Sequence, residues 1–170
     1  MGILSKLFRR RQTEFGAFRA SADVRYDDRA ILISANKRHV GGLFVHGEPA
    51  ALLARQSAAT DIGDAVLRAL RGSCDGLSEA EAANQAEVIL RLSGDPSWDK
   101  MDKRWQLIVA IFADEADSLI LSPMGQYEGG GYVGEEGDPS HKTGLGPTEI
   151  GERLLAVINA GPLSLRRRVR

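Results

Sequence analysis

The chain is poor in the residues that build redox and metal centres, with one cysteine and three histidines among 170 residues. A single thiol, Cys74, excludes an internal disulfide and a zinc site of four cysteines, and it suits a reducing cytoplasm. Cys74 follows a helix-like segment and reads as a small, semi-buried residue. The histidines, His39, His46 and His141, form no HExxH or other close pair, so the sequence supports no zinc hydrolase site. Long apolar runs are also missing: no stretch approaches the ~20 apolar residues that span a bilayer. At the start, the apolar residues around Ile3–Phe8 precede the arginines Arg9–Arg11, which is the wrong order for a signal peptide. Lys6 stands where a myristoylation motif needs Ser or Thr.

A large net charge is absent too: 22 Lys and Arg stand against 23 Asp and Glu, for a net of −1. The layout is uneven. Lys6, Arg9, Arg10 and Arg11 lie at one end and Arg166, Arg167, Arg168 and Arg170 at the other, with no acid among them. The body from Gln12 to Leu165 therefore carries 14 basic residues against all 23 acids, a net of −9. A body of that sign does not suit direct binding of nucleic acid. The length fits one domain. The expected organisation is a basic N-terminus over 1–14, a folded domain over 15–162 and a basic C-terminal tail over 163–170.

Hydrophobic residues make up 43% and charged residues 26%, normal for a folded protein. Ala30–Ser34 reads as a strand, Asn36–His39 as a polar turn and Val40–Val45 as a second strand weakened by glycine. Gly47–Pro49 reads as a break, with a further strand over Ala50–Arg55. Thr60 is the expected N-cap of an amphipathic helix over 61–71. Its apolar face is Ile62, Val66, Ala69 and Leu70, and Gly72 ends it. Ser78 and Glu81 form a capping-box pattern opening a helix over 78–92, stopped by Gly94-Asp95-Pro96. Trp105–Ala113 is the most apolar strand and is expected at the sheet centre. Asp114–Asp117 is an acidic turn, and Ser118–Ser122 is the return strand of a hairpin closed by Pro123. A Gly-rich stretch over 124–147, with one short strand near Tyr132-Val133, leads to a helix over 148–160.

Two helix starts share a pattern. Thr60-Asp61-Ile62-Gly63-Asp64-Ala65-Val66-Leu67 parallels Thr148-Glu149-Ile150-Gly151-Glu152-Arg153-Leu154-Leu155. Acids in the first turn complement the helix dipole, and the glycine permits a close backbone approach at about 1 kcal/mol of helix propensity.

Chemical motifs are few. Gly144-Leu145-Gly146-Pro147 lacks the Gly-Lys-Ser/Thr of a phosphate loop. Gly129–Gly131 does not follow a strand and open a helix as a dinucleotide fingerprint does. Asp114, Glu115 and Asp117 lack the spacing of a calcium loop. No triad is found, so no catalytic residue, metal ligand or cofactor is assigned. The distinctive surface signal is Asp114–Asp138. Asp114, Glu115, Asp117, Glu128, Glu135, Glu136 and Asp138 lie there with Tyr127 and Tyr132 and no Lys or Arg. Aromatic side chains among acids suit an interface with a basic protein partner: the rings supply buried contact and the acids speed encounter.

The order of elements carries a resemblance. A Thr60-Asp61-Ile62-Gly63 helix, an intervening helix and the Ser97-Trp98 element come first. A hairpin ending in Leu119-Ile120-Leu121-Ser122-Pro123, a Gly-rich passage and a Thr148-Glu149-Ile150-Gly151 helix follow. Over roughly Ala50 to Gly161 this resembles the immunity proteins of bacterial contact-dependent growth inhibition. The passage after Pro123 departs from that pattern in length and glycine content, so no contact residue is carried over from it. The resemblance implies a cytoplasmic binding protein, not an enzyme. Its partner would be the C-terminal toxin domain of an effector delivered by a neighbouring cell, commonly a nuclease, whose active or substrate-binding site it occludes. An acidic body complements the basic cleft of such a toxin.

The expected fold is a single α+β domain, a mainly antiparallel sheet packed by about three helices. Two other functions are open on sequence: a small enzyme using 124–147 with His141 as base, or a membrane-associated regulator using the basic ends. Neither direct nucleic-acid binding nor stable membrane association is expected.

Overall fold

The computed structural model describes residues 12–13, 16–114, 118–127, 132–133, 140–161 and 163–166. It describes the backbone alone at 12–13, 16–17, 106–114, 126–127, 132–133 and 163–166. Two short strands, β1 (Gln12–Thr13) and β2 (Gly16–Ala17), pair with each other. Then follow β3 (Ser21–Tyr26), β4 (Ala30–His39), β5 (Phe44–Ala54), α1 (Ala59–Gly72), β6 (Cys74–Leu77), α2 (Glu79–Ser93) and α3 (Trp98–Arg104). β7 (Gln106–Asp114), β8 (Ser118–Pro123), β9 (Gly125–Tyr127), β10 (Tyr132–Val133), β11 (His141–Thr143), α4 (Pro147–Ala160) and β12 (Leu163–Arg166) complete the order. The result is a single α+β domain.

The main sheet runs β11-β8-β7-β3-β4-β5, antiparallel throughout, with β6 alongside the end of β4 in parallel. A smaller sheet, β10-β9-β12, is separate. β7 has a neighbour on each side, as its apolar sequence predicts. Helices cover both faces of the sheet. On β4, Ile31, Ile33 and Ala35 point to one side and pack with Ile62, Val66 and Leu70 of α1 and Ile150, Leu154 and Ile158 of α4. Leu32 points to the other and packs with Ile89 of α2, Met101 of α3 and Trp105. The period-two alternation of a strand thus feeds two separate apolar layers.

The repeated Thr-acid-Ile-Gly pattern proves to be a helix crossing. A Cβ on Gly63 would run into the carbonyl of Pro147, and a Cβ on Gly151 into the carbonyl of Ala59. These contacts are reciprocal: Gly63 of α1 meets the first residue of α4, and Gly151 of α4 meets the first residue of α1. The threonines do not cap. Ala58 and Gly146 occupy the capping positions without a side-chain cap bond. Instead, Thr60 and Thr148 share a hydrogen bond through their hydroxyls at 2.9 Å. With the two helix starts pressed together, each hydroxyl finds its partner on the other helix and not on its own backbone.

The capping box at α2 forms as its sequence predicts. The Ser78 hydroxyl accepts from the Glu81 amide, and the Glu81 carboxylate accepts from the Ser78 amide at 2.8 Å. Gly94 closes the helix in the left-handed conformation (φ 74°). Ser78→Ala should lower the unfolding free energy by about 1 kcal/mol, read as a shift of the urea midpoint with unchanged slope.

Elsewhere the structure departs from the sequence-based expectation. Asn36–His39 is not a turn but the far end of β4, and the turn lies at Val40–Gly42, closed by a bond from the Gly42 amide to the His39 carbonyl. The polar residues tolerate strand burial because they are paired: Asn36 Nδ2 donates to Asp23 Oδ1 at 2.8 Å and Arg38 grips both oxygens of Asp75. The second strand starts at Phe44, not Val40. Gly47–Pro49 does not break it; β5 passes through with a register shift opposite Ser34/Ala35 and a cis Glu48-Pro49 bond. Residues 98–104, left without an element on sequence, form α3, with the Ser97 hydroxyl accepting from the Lys100 amide. The Gly-rich stretch carries β9, β10 and β11, and residues of the C-terminal arginine segment form β12 beside β9.

Candidate protein-binding face

Among the residues singled out on sequence, Glu115, Asp117, Glu128, Glu135, Glu136 and Asp138 lie outside the described residues. Asp114 closes β7 and pairs with Ser118 at the head of β8. Tyr127 closes β9 opposite Arg166 of β12, and Tyr132 opens β10 opposite Gln126. β8 therefore divides the acidic aromatic segment. Pro123, which leads into β9, lies opposite Val109, well down β7 from Asp114. Asp114 belongs to the end of the main sheet, while Tyr127 and Tyr132 belong to the smaller one.

That same end of the main sheet holds an exposed apolar group which sequence reading missed. Val40, Leu43 and Phe44, in and beside the β4–β5 turn, are 57%, 73% and 52% exposed. Their signal was present in the sequence as three large apolar residues around Gly41-Gly42, but the assignment of 40–45 to a strand concealed it. The Phe18 ring stacks on Phe44 with centroids 6.5 Å apart. The Arg38 guanidinium lies 5.5 Å from the Phe18 centroid.

Beneath this end runs a buried polar row. Ser21, Asp23 and Arg25 alternate along β3 with the apolar Ala22, Val24 and Tyr26. Arg25 pairs with Asp102 of α3. His46 Nδ1 lies 3.0 Å from Asp23 Oδ2, with the His46 ring 5.6 Å from that of Trp98. His46 is thus half-buried and tied to the sheet. Burial opposes the Asp23 charge, but His46, the Asn36 amide and the Arg25 charge together hold its carboxyl below the usual range. A depressed folded pKa gives stability that is present above the unfolded value and lost as pH falls through the folded one. Asp23→Asn should therefore cost roughly 2 kcal/mol at pH 7 and flatten the fall in unfolding free energy below about pH 5. Chemical denaturation across that range reads both effects. A wild-type slope retained in the variant would show that Asp23 does not carry this pH dependence.

The opposite end of β3 borders a polar cleft of about 430 Å³ lined by Tyr26, Asp27, Asp28, Arg29 and Arg104. Two of its charged side chains, Asp27 and Arg104, are paired with each other. Asp27 Oδ1 accepts from the Arg29 and Ala30 amides, and Oδ2 accepts from Arg104. Burial raises the Asp27 carboxyl, but those two amides and Arg104 leave it below its ordinary value. His141, on the edge strand β11 opposite Leu121, is separated from β3 by β8 and β7 and does not meet this cleft. Among the described residues, no group of three or more His, Cys, Asp or Glu could hold a metal ion. Among the same residues, no helix is long and apolar enough to cross a membrane.

No protein-family model and no curated protein sequence matches the chain. Solved structures do match. A protein of unknown function from Neisseria meningitidis aligns with a TM-score of 0.64 at 19% identity, over 84% of this chain and 95% of that one. A chain of the CdiA-CT/CdiI toxin and immunity complex from Yersinia pseudotuberculosis aligns with a TM-score of 0.63 at 14% identity. That match covers 86% of this chain and 98% of that one. At these identities the likeness is one of fold, and the fold is one that occurs in a toxin–immunity complex.

Proposed function

We propose that this chain is an immunity protein that binds and neutralises the toxin domain of a contact-dependent growth inhibition effector in the cytoplasm. The observation that carries the reading is the match across most of the chain to a component of a toxin and immunity complex. The order of motifs from Thr60 to Gly151 points the same way. The −9 body favours the immunity side of such a pair. A nuclease toxin holds nucleic acid in a basic cleft, and an acidic protein competes for that cleft. Contact is proposed through the acidic aromatic segment: Asp114, Glu115, Asp117, Glu128, Glu135, Glu136 and Asp138 for charge, Tyr127 and Tyr132 for buried area. Neutralisation follows from occlusion of the toxin's active or substrate-binding site.

The test is growth. Cells expressing the toxin domain encoded beside this gene should die, and should survive when the full chain is co-expressed. Death in both cases would sink the reading.

A further inference from the structure

Among the described residues, β5 is the last strand of the main sheet, with β4 on one side and no strand on the other. The ladder to β4 shows which of its backbone groups face outward. The Arg55 amide donates to the Arg29 carbonyl at 2.7 Å, so that pair is a bonded one. Bonded and non-bonded pairs alternate along an antiparallel ladder. Leu53 and Ala51, opposite Ile31 and Ile33, therefore bond to β4, while Ala50, Leu52 and Ala54 turn their amides and carbonyls away from it. Among the described residues, these outward groups meet one partner: the Ser57 amide donates to the Ala54 carbonyl. The three outward amides remain open.

Proteins commonly close such an edge with a proline, a charge or a covering group. β5 is closed in this way at its middle. The Glu48 amide donates to Gln85 Oε1 at 2.7 Å, and Pro49 has no amide hydrogen. Ala50-Ala51-Leu52-Leu53-Ala54 has neither device and carries no charge. Leu52, opposite Leu32 in the ladder, is 43% exposed.

A strand that pairs with an identical copy must match itself under a two-fold rotation. With Leu52 set opposite Leu52 of the copy, Ala50 falls opposite Ala54. All three are outward residues, so these pairs are bonded ones. No charge faces a like charge, and the flanking alanines leave room for the two Leu52 side chains to pack side by side. Every group that this pairing needs is supplied by the chain itself.

We infer that two copies of this chain associate through residues 50–54 of β5, antiparallel about Leu52, and join their main sheets into one. The pairing strip is short, so the dimer is weak and reversible, with a dissociation constant on the order of 10–100 μM. This association is independent of the toxin-binding reading.

The experiment is analytical ultracentrifugation of the full chain from about 1 μM to about 1 mM, with hydrogen exchange at both ends of that range. Wild type should pass from monomer to dimer. The Ala50, Leu52 and Ala54 amides should exchange freely in dilute solution and become protected in concentrated solution. The Ala51 and Leu53 amides, bonded to β4, should be protected in both. Leu52→Lys sets two like charges together on the axis and should weaken dimerisation roughly tenfold or more. Leu52→Val should stay dimeric, as should Leu43→Lys, which alters an exposed apolar residue in the β4–β5 turn. Circular dichroism confirms that each variant is folded, which these exposed positions permit. Wild type that stays monomeric at the highest concentration overturns the inference. So does a dimer that Leu43→Lys dissociates and Leu52→Lys does not. If the chain alone is monomeric and the toxin domain encoded by the neighbouring gene protects the same three amides, the edge serves the toxin and not a second copy; the inference falls and the toxin-binding reading stands.

Discussion

Gly63→Ala should destabilise the protein by about 3 kcal/mol, although alanine is the better helix former by about 1 kcal/mol. The sign follows from the crossing of α1 and α4. The added methyl has no space, because it meets a backbone carbonyl, that of Pro147, and not the yielding end of a flexible side chain. Relief requires the two helices to separate where their buried faces join one core, around Ile62, Val66, Ile150 and Leu154. Gly151→Ala should cost a similar amount against Ala59. Gly94→Ala provides the contrast: open space surrounds it and φ is +74°, so only the left-handed strain of about 1–2 kcal/mol applies. Urea unfolding of the three variants distinguishes these cases. A stabilised Gly63→Ala variant would mean that the helices do not cross this closely.

Trp105→Ala should cost about 3–5 kcal/mol, a large part of the 5–15 kcal/mol that holds an ordinary domain folded. Trp105 is 1% exposed and anchors the smaller apolar layer with Leu32, Ile89 and Met101. Its indole N–H donates to Asp95 Oδ2 at 2.7 Å, and Arg104 lies over its ring at 4.7 Å. One side chain therefore ties the end of α2, the end of α3 and the sheet together. Trp105→Phe keeps most of the volume but deprives Asp95 of that donor, for a smaller loss of about 1–2 kcal/mol. Near-ultraviolet circular dichroism and urea midpoints compare the two. Equal losses would assign the whole effect to the Asp95 bond and none to packing.

The sequence was most legible where local chemistry decides the structure. The Ser78 and Glu81 box, the apolar strand read over 105–113 and the hairpin closed by Pro123 follow from neighbours in the chain, and each is present, the strand as Gln106–Asp114. The paired glycines were legible as sites of close approach, but their partner was not, because nothing local says that α1 meets α4. Thr60 was misread as a cap for the same reason: it and Thr148 satisfy each other across 88 residues of sequence. Asn36-Lys37-Arg38 looked like a solvated turn because its partners, Asp23 and Asp75, are distant in sequence. The exposed Val40, Leu43 and Phe44 were hidden by that error, since a turn placed too early turned a surface cluster into a strand. The acidic segment was visible as composition, yet its division by β8 depends on sheet register.

The central claim is neutralisation of a toxin by direct occlusion. The most direct measurement is a titration of the purified full chain into the toxin domain encoded by the neighbouring gene, with the toxin's activity on nucleic acid as the readout. The account predicts that activity falls linearly to zero at one chain per toxin, with the end point independent of substrate concentration. Full activity at a tenfold molar excess of the chain would contradict it.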